Sequence, residues 1–232
     1  MVLFLPLFNC GDYMIASGPA AADPSTCVQA REIVRKYRLR LSPAALECLD
    51  RETPKTVENV HTQVIGSVRE LCRAAAAKCE ALGYRPQILT DRLDGEAREA
   101  GTMLARKAKE LSTGIGRTAL IAGGETVVHL TGDGLGGRNQ EIALAAAEEL
   151  RGVRNAALIS VGSDGTDGPT DAAGGYADGG TFDALLRRGI RIADVLRNND
   201  AYHALDAVDC LIRTGPTGTN VNDVTVALID RG

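Results

Sequence analysis

The sequence predicts an α/β fold with a mixed, largely parallel sheet and flanking helices. Short apolar runs at 85–89, 119–122, 126–130, 156–161, 210–213 and 224–229 alternate with helical patterns at 68–82, 95–111 and 139–150. Strands separated by helices are the pattern of parallel strands joined by helical crossovers. Glycine-rich stretches also follow several of the runs, as ligand-binding loops do at the C-terminal ends of strands in open α/β sheets.

Taken in order, Met1 to Phe8 is apolar but short for a membrane span, and no Lys or Arg precedes Arg31. A signal peptide would carry a basic n-region there, so a soluble, cytoplasmic protein is expected. Asp23 and Pro24 supply a cap and first-turn proline for a helix to about Tyr37, and Ser42-Pro43 repeats the signal for a helix to Leu49. Thr62 to Ile65 reads as a strand. Gly66-Ser67 then opens helix 68–82, which Gly83 closes at the C′ position. Arg85 to Leu89 reads as a strand and 95–111 as a helix, with Thr113 to Gly116 a connection between two halves. Only Gly123-Gly124-Glu125 separates the runs 119–122 and 126–130, too short for a parallel crossover, so an antiparallel pair is expected there. Short helices are expected near 181–188 and 200–207.

The 232 residues are enough to bury a full core, and with no Trp and 3% aromatics that core must be mainly Ala, Val, Leu and Ile. A formal net charge of −4 gives no basic footprint, which argues against nucleic acid as a partner. Six cysteines show neither a CxxC pair nor a Cys/His metal spacing and read as reduced, buried thiols. Cys72 and Cys79, seven apart on one helix, share a face.

Two loops carry the chemistry. Thr131 to Glu141 (TGDGLGGRNQE) is glycine-rich and opens a helix, so its N–H groups and the Arg138 fork suit a phosphate or carboxylate. Gly132, Gly134 and Gly137 satisfy GxGxxG, but the ribose-binding acid about 20 residues on is missing. Gly132 and Gly137 have the Walker A spacing, but Arg138-Asn139 stand where Lys-Ser/Thr belong. A tight turn needing positive φ is the plain alternative. Ser163 to Asp171 brings Asp164, Asp167 and Asp171 into one turn, either as turn-formers and caps or as oxygen ligands for Mg2+ with substrate phosphates. Thr214 to Asp223 is rich in small residues and hydroxyls and suits packing on a ligand. Asn198-Asn199-Asp200 reads as an N-cap or part of the cleft, with His203 beside it.

Gly123 to Thr126, TGDGLGGRNQE (131–141), SDGTDGPTDAAG (163–174), Asn198 to Asp200 and TGPTGTNVND (214–223) resemble the MOFRL domain, the C-terminal domain of the glycerate 2-kinase family. Members of that family have often been labelled hydroxypyruvate reductase. Ile15 to Pro19, Ile65 to Ser67 and Asp91 to Ala97 resemble the later part of the family's larger N-terminal domain. The likeness runs from Gly11 onward. Its departures are Ser163, where Gly or Thr is usual, a divergent segment before Gly11-Asp12, and the lack of the family's upstream Rossmann-like half with its phosphate-contacting lysine. A truncated family member is expected, with residues 1–115 an incomplete N-terminal part and 116–232 a MOFRL-like domain.

The resemblance implies ATP-dependent phosphorylation of D-glycerate to 2-phosphoglycerate, with ATP and Mg2+. Its site would have Arg138 and Asp164 as catalytic residues and Asp164, Asp167 and Asp171 on the metal. Gly132, Gly134, Gly136, Gly137, Asn139, Thr217, Gly218, Thr219 and Asn220 would hold the nucleotide. The partners are glycerate and nucleotide, with neither nucleic acid nor membrane. Two strands, 62–65 and 85–89, are too few to cover three N-terminal helices, so an exposed apolar patch and a homodimer are expected. An NAD(P)H-dependent hydroxypyruvate reductase and a non-catalytic binding remnant stand as alternatives. The reductase lacks both the ribose acid and an obvious His–carboxylate proton donor.

Overall fold

The computed structural model describes residues 22–58, 60 and 66–231, and they fall into two compact units that divide near residue 65. The expected strand 62–65 and residues 1–21 lie outside the described residues. In the first unit α1 (Cys27–Lys36) starts one turn later than the proline suggested. Thr26 and Gln29 form the capping box, whereas Asp23 binds Ser25 and Thr53 and its own N–H bonds Pro54 O at 3.1 Å. α2 (Pro43–Cys48) is capped by Ser42 as read. Neither helix has a buried residue, and Val28, Ile33, Tyr37 and Leu46 are exposed.

The second unit holds α3 (Val68–Ala81), β1 (Arg85–Leu93), α4 (Ala97–Leu111), β2 (Arg117–Gly124), α5 (Arg138–Glu149), β3 (Ala156–Gly162) and β4 (Gly174–Asp178). It continues with α6 (Thr181–Arg187), α7 (Ile192–Asn198), α8 (Ala201–Asp206), β5 (Leu211–Ile212) and β6 (Asp223–Asp230). The described strands form one sheet in the order β1-β2-β6-β3-β4-β5. It is mixed as expected, but only β1 and β2 run parallel; the other four pairings are antiparallel, which corrects the largely parallel expectation. Two of the four come from β6, which enters between β2 and β3 and runs against both; the other two join β4 to β3 and to β5.

The same insertion overturns the strand expected at 126–130. β2 already has β1 on one edge and β6 on the other, from Arg117↔Asp230 to Gly124↔Asp223. No edge remains for a hairpin partner. The segment makes one isolated bridge, Glu96↔Val127, and leaves Leu130 80% exposed.

Side-chain alternation on β2 builds two cores. Ala119 and Ile121 pack with Cys72 and Cys79 of α3, while Leu120 and Ala122 face Leu104 of α4 and Ile142 of α5. Each fully buried Leu or Ile contributes roughly 1.5–3 kcal/mol. α5 is the central helix: Ile142 to Ala147 are all buried, and its alanines let β4 and α4 approach closely. Cys72, Cys79 and Cys210 are buried thiols as expected, and burial pushes Cys72 up to about 11. Cys48 corrects that reading: α2 buries nothing, and the thiol is exposed.

The expected division at 116 falls between paired strands, because β1 joins β2 across it. The connection itself is tied down. Arg231 donates to Leu111 O, Gly116 O and Thr118 Oγ1, each at 2.8 Å. Among the described residues no helix is long and apolar enough to cross a membrane.

The register places the functional end of the sheet. Leu93 pairs with Gly124, Gly124 with Asp223, and Asp223 with Gly162. The C-terminal ends of β1, β2 and β3 and the first residue of β6 therefore share one edge.

Candidate active site

Arg138 is the first residue of α5, after the N-cap Gly137. From there its guanidinium reaches the sheet edge, where Nε donates to Asp223 Oδ2 at 2.5 Å and Nη2 to Asp223 Oδ1 at 3.2 Å. Nη1 donates to Glu125 Oε1 at 2.9 Å. A planar fork meeting a carboxylate through two donors is the strong form of this pair. Burial raises the pKa of both acids above the usual carboxylate range, against the opposing pull of Arg138. Glu125 Oε2 and the neighbouring Thr126 Oγ1 are buried with no hydrogen-bond partner among the described residues.

Asp167 does not join them as a metal ligand. It is 3% exposed and caps α5, taking the backbone N–H of Asn139 at 3.1 Å and of Gln140 at 2.9 Å, plus Asn139 Nδ2 at 3.2 Å. The anion hole of this helix N-terminus is thus filled by the protein's own carboxylate. Gly137 permits it, since a Cβ there would lie 2.3 Å from the Asp167 carboxyl carbon. Burial nevertheless pushes Asp167 up to about 6, against the pull of the three N–H donors.

Asp171 points elsewhere, accepting from Tyr202 Oη at 2.7 Å and Arg213 Nε at 3.0 Å on an exposed surface. Asp164 stays at the sheet edge. Its Oδ1 accepts from Thr166 N at 3.0 Å and its Oδ2 from Asn220 Nδ2 at 3.2 Å. A Cβ placed on Gly162 would stand 3.2 Å from Asp164 Oδ1 and 3.5 Å from Asp223 Oδ1, so these two acids flank one point. Among the described residues no three His, Cys, Asp or Glu side chains are placed to hold a metal ion. Asp164, Asp167 and Asp171 are therefore not brought together; the acid beside Asp164 is Asp223. Two protein carboxylates fit Mg2+ when phosphate oxygens and water complete its shell.

The glycine loop has a different partner from the one its spacing suggested. Asn199 Oδ1 accepts from Thr131 N at 2.7 Å and Gly132 N at 3.1 Å, while Asp133 N reaches Asn198 Oδ1 at 3.4 Å. Gly134 N donates to Asn198 O at 2.8 Å and Leu135 N to Asp200 Oδ1 at 2.9 Å. Five successive N–H groups are thus spent on the α7–α8 turn. A Cβ on Gly132 or Gly134 would come within 2.5 Å of that turn, so these glycines serve close packing. Gly136 packs on Ala201, and Asn139, donor to Asp167, also accepts from Ser160 Oγ at 2.7 Å.

Thr217 and Asn220 support the Asp164 turn. Thr217 N donates to Asp164 O at 3.1 Å and its hydroxyl to Ser163 O at 2.5 Å, while Ser163 Oγ accepts from Val221 N at 2.7 Å. Gly218 and Thr219 lie between them on an exposed loop crest. His203 meets Asp200 through Nδ1 at 2.6 Å, and His129 Nδ1 meets Glu96. His–carboxylate pairs therefore exist, contrary to the sequence reading, and both histidines are exposed.

Sequence reasoning missed Glu125 and Asp223 as site residues. Each is an acid abutting a buried apolar run, Glu125 just after β2 and Asp223 opening β6. That adjacency was the available signal.

A family model described as the MOFRL family matches residues 118–223. Over 220 residues the chain is 46% identical to D-glycerate 2-kinase of Thermotoga maritima, covering 93% of this chain and 53% of that protein. It is 30% identical over 264 residues to a glycerate kinase of Macaca fascicularis, covering 90% of this chain and 67% of that one. A crystal structure of a glycerate kinase from Thermotoga maritima matches with a TM-score of 0.85 at 46% identity, over 93% of this chain and 53% of its own. The chain spans about half the length of the Thermotoga relative.

Proposed function

The chain belongs to the glycerate kinase family, and from that premise we propose that its sheet edge forms part of the active site of a cytoplasmic glycerate 2-kinase. The reaction moves the γ-phosphoryl group of ATP to the 2-hydroxyl of D-glycerate. The hydroxyl oxygen forms a bond to the γ-phosphorus, the bond from that phosphorus to the β,γ-bridging oxygen breaks, and ADP leaves while the hydroxyl gives up its proton. Little covalent help is needed, so positioning and charge neutralisation dominate.

The observation that carries this reading is the Arg138 guanidinium held by Glu125 and Asp223 at the edge of the sheet, with Asp164 beside Asp223. Arg138 neutralises phosphoryl or carboxylate oxygens, and Asp164 orients the hydroxyl and accepts its proton or shares in holding Mg2+. Bound between Asp164 and Asp223, Mg2+ would supply charge neutralisation for the transferred group. The loop 214–222 and the exposed part of 131–139 remain the proposed nucleotide side, with residues 1–115 as the later part of the family's N-terminal domain. A reductase gains no support from the glycine loop, whose N–H groups are engaged by Asn198 to Asp200.

An ATP-dependent assay of D-glycerate phosphorylation, run on this chain beside a full-length relative, tests the reading. Arg138→Ala at the matching position of that relative should abolish turnover. A near-normal kcat/KM would refute the assigned roles, and saturable NADH binding without a response to ATP and Mg2+ would favour the reductase.

A further inference from the structure

We propose that the Glu125 carboxylate is a displaceable stand-in, occupying on Arg138 Nη1 the place taken by an anionic group of the ligand. This rests on reading the sheet edge as the ligand site. The two acids on Arg138 are not equivalent. Asp223 takes two of its donors, its side chain is 8% exposed, and its backbone is fixed in the sheet between Gly124 and Gly162. Glu125 takes one donor, and its side chain is 24% exposed. Its backbone N–H is anchored to Leu93 O at 2.8 Å, so the exchange moves the side chain and leaves the backbone in place.

Glu125 is also poorly satisfied where it sits. One oxygen has Arg138 and the other is buried without a donor. An unpaired buried carboxylate oxygen carries a desolvation cost that water would remove. Charge settles which group must yield. Adding a ligand anion with both acids in place would set three negative groups on one guanidinium, with Asp164 close by. Exchanging Glu125 for the ligand leaves the count unchanged and keeps the Asp223 fork. Arg138, at 33% side-chain exposure, is reachable for such an exchange. The incoming chemistry is an oxyanion that accepts from a guanidinium edge, either the carboxylate of a small hydroxy acid or a phosphoryl group.

The test measures binding of D-glycerate and, separately, of inorganic phosphate to the purified chain by calorimetry. Glu125→Gln removes the competing charge at constant shape, and a thermal melt confirms the fold; Glu125→Ala serves if the amide variant does not fold. Freeing a site that is mostly occupied by its own competitor raises apparent affinity by the inverse of the free fraction, expected here as about tenfold. The gain should vanish when Arg138→Gln is added, or Arg138→Lys if that double variant does not fold. The probe that gains identifies the group as carboxylate or phosphoryl. No gain for either probe, or a gain that survives without the Arg138 fork, overturns the proposal. Because no phosphoryl transfer is read, the outcome is separate from whether the protein is a glycerate kinase.

Discussion

Arg138 and Asp223, 85 residues apart in sequence, meet through a two-donor fork at 2.5 and 3.2 Å, joining the first turn of α5 to the first residue of β6. Arg138→Ala leaves the buried Asp223 without its guanidinium partner, and losing the donors of this part-buried pair costs about 1–3 kcal/mol. Denaturant midpoints should fall accordingly. Adding Asp223→Asn should restore most of the stability but no phosphoryl transfer. Arg138→Lys should fail in transfer too, because an ammonium offers no planar fork.

Asp164→Asn should spare the fold and remove the chemistry. The amide keeps an acceptor for Thr166 N, so the turn is retained with a small loss from facing Asn220 Nδ2. In a full-length relative kcat should drop about 10²- to 10⁴-fold if the carboxylate takes the proton. An unchanged kcat with a melting temperature like the parent's would remove Asp164 from the mechanism.

Asn199 is a keystone of a different kind. It sits at φ 55°, and its side chain bonds Thr131 N, Gly132 N, His129 O and Glu141 Oε1. Asn199→Gly keeps the backbone conformation but strips these bonds, with an expected loss of about 1–3 kcal/mol from the groups left buried. Hydrogen exchange should then rise across 131–135 before it rises in β2.

Asp167 predicts a pH dependence. Its pKa in the folded protein is pushed up to about 6 from 3.8, so between these values the folded state holds the proton more tightly than the unfolded one. Its contribution is thus fully present below about pH 4 and is lost as pH rises through about 6, on the order of 2–3 kcal/mol in all. The stability of the parent minus that of Asp167→Asn should fall over this window. A difference that grew with pH would contradict the assignment.

What could be read from the sequence follows from how local each signal is. Ser42-Pro43, Ser67 and Gly83 mark helix ends through bonds made within a few residues, and those ends stand where they were read. The run 126–130 has the right composition for a strand, but a strand needs an edge, and β6 had taken it from the far end of the chain. β4 was invisible for the opposite reason. Gly174 and Gly175 are there because a Cβ would strike Ser160 O at 2.0 Å and Leu205 at 2.7 Å, so its sequence looks like a loop. At the site, Arg138 and Asp164 announced themselves in loops, whereas Glu125 and Asp223 acquire meaning only once β2 and β6 lie side by side. The glycines of 131–137 were legible as a constraint, but not as to whether a ligand or the turn at Asn198 imposed it.

The position of β6 also governs how the protein is made. Its ladder with β2 joins residues as far apart as Arg117 and Asp230, and in the sheet it lies between β2 and β3. On a ribosome, Ile121 and Leu158 are synthesised long before Val226 and Ala227 emerge, and until then both strands keep an open edge. Such long-range pairing is slow and exposes strand edges to other chains. The sheet therefore closes only after synthesis has passed β6, and until then β2 and β3 each carry an unpaired edge.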